Sequence, residues 1–400
     1  MTRTILDIHI LQNVPPSNLN RDDTGAPKTA TYGGIRRARV SSQAWKRAAR
    51  KEFNELLPAS ELGVRTKKVA QLLCSHIRDL DPSIEQETGL ELAAETLRTA
   101  TGSKIEPPKR KARDQDEEEP EPAPEAQYLM FLSRRQVEAL AELAVTGSQG
   151  DLKTLQAFFK VKENKARAKE AVNTRHSVDV ALFGRMVADA ADINVEAAAQ
   201  VAHALSVHGV EVESDYFTAV DDRQEKDQTG ADMIGLIDFT SATLYRYAAV
   251  DIDRLHRNLG IGLKPEEHAP TPTRRATEAF LEAFITSMPT GKINTFANHT
   301  MPAAVIVKLR TRRPISFASA FERPVTRGEE GGFLEQSCLR LANQVPELEE
   351  TYGIDDAVGT WVLRIGEETE ALDTLGRRVA LHELIEEVGA AIDHRLEPGK

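Results

Sequence analysis

The 400-residue chain holds only two cysteines, Cys74 and Cys338, far apart in sequence. They offer neither a disulfide framework nor a metal-ligand spacing, which fits a reducing compartment. No run reaches the eighteen apolar residues that a membrane span needs, and the opening MTRTILDIHILQ is too short an apolar run for a signal peptide. A cytoplasmic protein with no membrane partner is expected. Aromatic residues make up 5% of the chain, too few to stack bases along a whole sheet. GxxxxGK[ST], HExxH and GxSxG are all missing, and the ten histidines are scattered without metal-ligand spacing. The expectation is no catalytic residue, no metal and no cofactor. His9, on the first expected strand, could in principle serve as a general base.

Positive charge is scarce overall, at a net charge of −11, yet it is concentrated in one place. The stretch GGIRRARVSSQAWKRAARK, residues 33–51, carries seven Lys or Arg and no acid. Residues 1–51 sum to +7 and the remainder to −18. Such asymmetry points to an acidic partner at the basic end. From Gln43 to Leu57 the spacing is helical, with Trp45, Ala48, Ala49 and Phe53 on one side and Gln43, Lys46, Arg47 and Arg50 on the other. Ser41 or Ser42 can cap that helix. Cations in its first turns oppose the macrodipole, unless a phosphate lies there to gather them and the orphan backbone N–H groups. Arg36, Arg37 and Arg39 add to the same charge. A solvated basic face is the plain alternative; a phosphate-contacting edge beside a strand is the sharper one.

Strands are expected at 4–11, 177–183, 210–220 and 303–311, with two more within 236–251. Residues 60–172 read as mostly helical, as do 273–288, 334–350 and 380–394. The charged, Pro-rich segment 104–126 is expected to be disordered, because it has little apolar surface to bury. The order suggests an α+β sheet with helices on one face. Tyr216 and Phe217 are adjacent, so in a strand they point to opposite faces, and at least one is left over for a partner. Met186 fills core or wedges between bases. Residues 152–171 carry a row of lysines, by itself a solvated face.

Six stretches together resemble one family: SNLNRDD (17–23), YGGIRRARVSSQAWKRAARK (32–51), VDVALFGRM (178–186), AHALSVH (202–208), DYFTAVDD (215–222) and LYRYAAVDID (244–253). They are similar to the CasC family, the repeated backbone subunit of the type I-E CRISPR complex called Cascade. The resemblance implies a hand. A ferredoxin-like, RRM-type palm would be built from 1–59, a strand in 173–189 and 236–400. Helical fingers would span 60–172 and a hairpin thumb 190–235. It also implies that AHALSVH is extended, against its helical propensity.

The resemblance further implies a non-catalytic subunit that packs head to tail with its own copies and with other Cascade subunits along a CRISPR guide RNA. The RNA contacts it implies are Arg21, Lys28, Ser41, Gln43, Lys46, Arg47 and Arg50, with Met186 against the bases. Tyr216 and Phe217 would be thumb aromatics that help to flip a base out. Lys153, Lys160, Lys162 and Lys165 would face target DNA. Base pairing, not the protein, would read sequence. The alternatives are an RRM-like endoribonuclease that processes CRISPR transcripts, with a base such as His9 or His299, and a scaffold that touches no RNA.

Overall fold

A computed structural model describes residues 3–108, 122–186, 194–219, 233–260, 268–328 and 332–397. In chain order the first part forms β1 (Ile5–Ser17), β2 (Thr29–Tyr32), β3 (Ile35–Val40), α1 (Ser42–Leu56), β4 (Gly63–Thr66), α2 (Val69–Leu80) and α3 (Gln86–Thr101). Next come β5 (Ile105–Glu106), β6 (Glu125–Ala126), β7 (Met130–Ser133), α4 (Arg134–Ser148), α5 (Leu152–Lys160), α6 (Lys162–Asn173) and α7 (Val178–Phe183). Then follow β8 (Ala199–Val201), β9 (Ala204–Ser206), β10 (Glu213–Ala219), β11 (Met233–Asp251), α8 (Ile252–Leu259), α9 (Thr271–Thr286) and α10 (Ile293–Phe296). The chain closes with β12 (Ala304–Arg310), α11 (Leu334–Thr351), β13 (Ala357–Arg364), β14 (Arg377–Arg378) and α12 (Leu381–Leu396). It divides into a sheet unit (Met1–Phe53, Ala199–Ile252, Thr277–Lys400) and a helical unit (Asn54–Ala198, Asp253–Ala276).

In the sheet unit the main path runs β14-β13-β12-β1-β11-β9-β3-β2. β1 lies between β11 and β12, antiparallel to both, with Ile5 opposite Asp251 on one side and Arg310 on the other. Its first eight residues are all buried, the mark of a strand covered on both faces. One face meets Phe317, Phe321 and α11, through Cys338, Leu341 and Val345. On the other, Arg246 of β11 stacks on Trp45 of α1 at 3.7 Å and on Phe284 of α9 at 4.7 Å. Helices therefore cover both faces, not one. The expected strand at 4–11 continues to Ser17, and the register shifts where Pro15 and Pro16 supply no donors. Residues 236–251 belong to one long strand, not two. β13 was not expected; its first residues are exposed and blur the alternation.

The sequence AHALSVH is extended, as expected. It supplies β9, and the chain just before it supplies β8, and both pair with β11. The sheet edge offers partners that outweigh alanine's helical preference. The strand expected over 210–220 begins only at Glu213.

The helical unit buries Leu73, Ile77, Leu92, Leu97, Leu140 and Leu155 in one core. Residues 60–172, expected as mostly helical, hold α2 to α6, and the lysine-bearing stretch 152–171 is broken at Val161, where Asn164 Nδ2 donates to the Phe158 carbonyl. Residues 177–183 were expected as a strand and form α7 instead. Val178 to Leu182 are all buried there, so the V-D-V alternation does not mark an exposed face; Asp179 Oδ1 accepts from the Gly63 N–H. The segment 104–126 is not disordered at its ends, since Ile105 pairs with Ala126 and Glu106 with Glu125. Residues 109–121 lie outside the described residues. Among the described residues no helix is long and apolar enough to cross a membrane.

Candidate nucleic-acid interface

The site begins at the first turn of α1. Ser41, of the two candidates, takes the capping position. Its hydroxyl accepts from the Ala44 N–H at 3.4 Å and its carbonyl accepts from Ala44 and Trp45. The Ser41 N–H donates to Asn20 Oδ1 at 2.9 Å, which pins the preceding loop against the helix start. That loop is folded on itself. Asp22 Oδ1 accepts from the Thr24 hydroxyl (2.7 Å), the Thr24 N–H (2.9 Å) and the Ala26 N–H (3.1 Å). These bonds, the Thr24 hydroxyl foremost, hold the Asp22 carboxyl below its usual range. Lys28 N–H donates to the Asn20 carbonyl, and Arg39 N–H to the Lys28 carbonyl.

The result is a cleft of about 1230 Å³ in the sheet unit, lined by Arg21, Lys28, Arg39, Arg47 and Lys51 with Ser41, Gln43 and His203. Its far wall is 287–291, where Gly291 lies so near the chain that an added Cβ would stand 2.2 Å from the Leu19 carbonyl oxygen. Asp22, Asp23 and Glu52 also line it, but the Asp22 carboxylate is engaged by its own loop. Gln43, Arg47 and Lys51 recur every four residues, so one helical stripe faces the cleft. The stripe of Trp45, Ala48, Ala49 and Phe53 is buried as expected, Ala48 beside the cleft. Burying Trp45 and Phe53 contributes about 1.5–3 kcal/mol each, which fixes the stripe's direction. Arg246 strengthens that seat: its guanidinium donates to Gln12 Oε1 at 2.6 Å and to the Phe284 carbonyl. Burial lowers its pKa to about 9, so it stays cationic at neutral pH.

The structure thus gathers Arg21, Lys28, Ser41, Gln43 and Arg47 of the expected contacts around one opening. Lys46 and Arg50 lie on the flank of the same helix, half-buried and outside the cleft lining. Burial lowers the Lys46 pKa. Met186 belongs to the helical unit and is 87% exposed. Arg37, counted with the basic run, is a core residue. It donates to the carbonyls of Tyr32, Ser206, Phe321 and Glu322. Gly33 and Gly34, at φ +58 and +78, close the β2–β3 turn beneath it.

His203 was missed as a site residue. Its Nδ1 lies 3.3 Å from Arg39 Nη1. Arginine only donates, so Nδ1 accepts and the ring's proton sits on Nε2. Burial, then Arg39 and Lys28, lower the His203 pKa, in keeping with a neutral ring. Nothing in a single histidine within AHALSVH signals this; it follows from β9 pairing beside Arg39 of β3.

Tyr216 and Phe217 lie on β10, which pairs with the start of β11 as a hairpin. Neither is core. Tyr216 is 57% exposed opposite Leu236, itself 68% exposed, while Phe217 lies across Gly235. Lys153, Lys160, Lys162 and Lys165 are exposed on α5 and α6, away from the buried Leu155, Phe159, Ala168 and Val172. His9 is no surface base. It is 1% exposed, stacked on Phe317 at 4.1 Å and bonded to the Tyr245 hydroxyl at 2.9 Å, with burial holding its pKa well below the usual value. His299 is exposed and outside the cleft lining. Among the described residues no group of His, Cys, Asp or Glu is placed to hold a metal ion.

Comparison with known proteins gives a consistent picture. A family model described as CT1975-like protein matches residues 6–387. A solved chain described as a CRISPR RNA-guided surveillance complex, pre-nicking, is 34% identical, over 97% of this chain and 100% of that one, with a TM-score of 0.78. A second, described as a CRISPR RNA-guided surveillance complex, is 30% identical over 97% of this chain and 99% of that one, with a TM-score of 0.68. Comparison with curated proteins gives no match.

Proposed function

The chain belongs to the CT1975-like protein family, and from that membership we propose that it is a backbone subunit of a CRISPR RNA-guided surveillance complex of the Cascade kind, type I-E in its details. The observation that carries this reading is the cleft at the start of α1, where five cations from three segments converge in an otherwise acidic chain. Convergent cations with hydroxyl and amide donors suit a phosphate backbone and need no base readout. The guide RNA backbone runs through the cleft, held by Arg21, Lys28, Arg39 and Arg47, with Ser41 and Gln43 at the helix start and Lys46 and Arg50 on its flank.

In this reading the sheet unit is the ferredoxin-like, RRM-type palm and the helical unit the fingers. The β10–β11 hairpin is the thumb, whose exposed Tyr216 and half-exposed Phe217 press on a flipped nucleotide. Met186 packs on bases, and the lysines of α5 and α6 meet target DNA. Copies associate head to tail, a heterologous contact that propagates along the guide. The role is non-catalytic, and His9, locked in the core, serves packing. The test is to co-express the chain with a CRISPR array and the remaining subunits of its complex. The reading predicts co-purifying guide RNA with nuclease-accessible nucleotides at a regular interval. RNA that is absent, or protected without any period, contradicts it.

A further inference from the structure

A second positively charged opening lies wholly within the helical unit. It is a pocket of about 440 Å³, lined by Arg175, Arg254 and Arg257 with Asn173, Asn194 and Asn258 among its polar groups. Among the described lining residues there are three arginines and one carboxylate, Glu196, which pairs with Arg254 at 2.8 Å. Arg175 and Arg257 are exposed and have no ion-pair partner among the described residues. The walls are built firmly. Asn258 Nδ2 donates to the carbonyls of Ala181 (3.0 Å) and Glu196 (2.9 Å), tying α8 to both neighbouring segments. Arg185 and Val195 exchange backbone hydrogen bonds of 3.0 and 2.8 Å, and Arg185 itself is anchored on the carbonyls of Phe131 and Val172.

Two features indicate use. Arg175 holds φ +53, a left-handed backbone that arginine adopts at a cost and that Gly or Asn would adopt more readily. Its carbonyl is fixed there by the Ser133 hydroxyl at 2.9 Å. Met186, the residue after Arg185, is 87% exposed beside this wall. An exposed apolar side chain thus follows, in sequence, the residue that pairs with the pocket's Val195.

We propose that this pocket binds a phosphodiester of a single-stranded nucleic acid, as a contact separate from the cleft at α1. Guanidiniums and a carboxamide such as that of Asn173 are donors that a phosphate takes, Asn258 being spent on the wall, and the one carboxylate of the described lining pairs with Arg254. Guide RNA and target DNA share the phosphodiester, so the chemistry alone admits either strand.

The experiment measures binding of labelled single-stranded RNA and single-stranded DNA of one sequence to the full chain, against salt. It compares wild type with Arg175→Asn/Arg257→Ala. Both proteins are also tested in a Lys28→Ala/Arg39→Ala/Arg47→Ala background, which weakens the cleft's share. Asn accepts the left-handed backbone, so the double variant keeps its Tm. The proposal predicts a salt slope lower by about 1.4 units for at least one strand type, in both backgrounds. Loss on RNA alone assigns the guide, and loss on DNA alone assigns the target. Restoration by Arg257→Lys in place of Arg257→Ala attributes part of the loss to charge. An unchanged slope for both strand types overturns the pocket while leaving the cleft untouched. A cleft variant that binds as wild type does the reverse.

Discussion

The cleft of the sheet unit and the lysine row of the helical unit carry similar numbers of cations, but they are built differently. In the cleft Arg21 and Lys28 come from a folded loop, Arg39 from β3, and Arg47 and Lys51 from α1, all around one opening. On α5 and α6, Lys153, Lys160, Lys162 and Lys165 come from two consecutive helices and stand out into solvent. The first arrangement collects cations that repel one another and is stabilised by an anion that enters. The second costs little by itself and attracts any polyanion weakly and without registration. Convergence, more than charge count, distinguishes a binding site from a solvated face.

Acid can separate the two units before any ligand is added. His176 of the helical unit accepts from Gln136 Nε2 at 3.0 Å, and burial, then Arg185, lower its pKa from 6.5 to about 4. The unfolded chain takes up this proton near pH 6.5 and the folded chain only near pH 4. The contribution of neutral His176 is therefore complete above pH 6.5 and lost as pH falls towards 4. The loss is about 3 kcal/mol at most. Denaturant melts of His176→Gln from pH 7 to 4 should show a flatter stability profile than wild type.

The next effect falls on the cleft. Lys28→Ala/Arg39→Ala/Arg47→Ala should remove about two units of salt slope for guide RNA, roughly a fiftyfold weakening at 0.15 M salt. The frame of the cleft is also breakable without touching charge. An alanine Cβ at Gly33 would meet the Glu322 carbonyl oxygen at 1.7 Å, on a backbone at φ +58. Gly33→Ala should destabilise the sheet unit by about 1–3 kcal/mol, read as a lower Tm. The smallest effect belongs to the lysine row. Lys160→Ala/Lys165→Ala should leave guide RNA binding as it is and weaken DNA binding by the assembled complex only a few-fold at 0.15 M salt.

The difference between the regions also marks what sequence can convey. The stripe of Trp45, Ala48, Ala49 and Phe53 was legible because helical period and burial coincide within one element. Arg37 was misread with its neighbours. Three of the four carbonyls that bury it belong to Ser206, Phe321 and Glu322, remote in sequence. His203 was invisible for the same reason, since its partner Arg39 reaches it through strand pairing. In α7, Val178-Asp179-Val180 imitates a strand because a short helix buried on all sides has no polar face to betray its period.

The central claim is that convergence at α1, not net charge, holds the guide. The most direct measurement is the salt dependence of guide RNA binding by two double variants with equal charge change, Arg39→Ala/Arg47→Ala in the cleft and Lys160→Ala/Lys165→Ala on the helical row. The account predicts a slope lower by about 1.4 units for the cleft pair and an unchanged slope for the lysine pair. Equal losses in the two variants would contradict it.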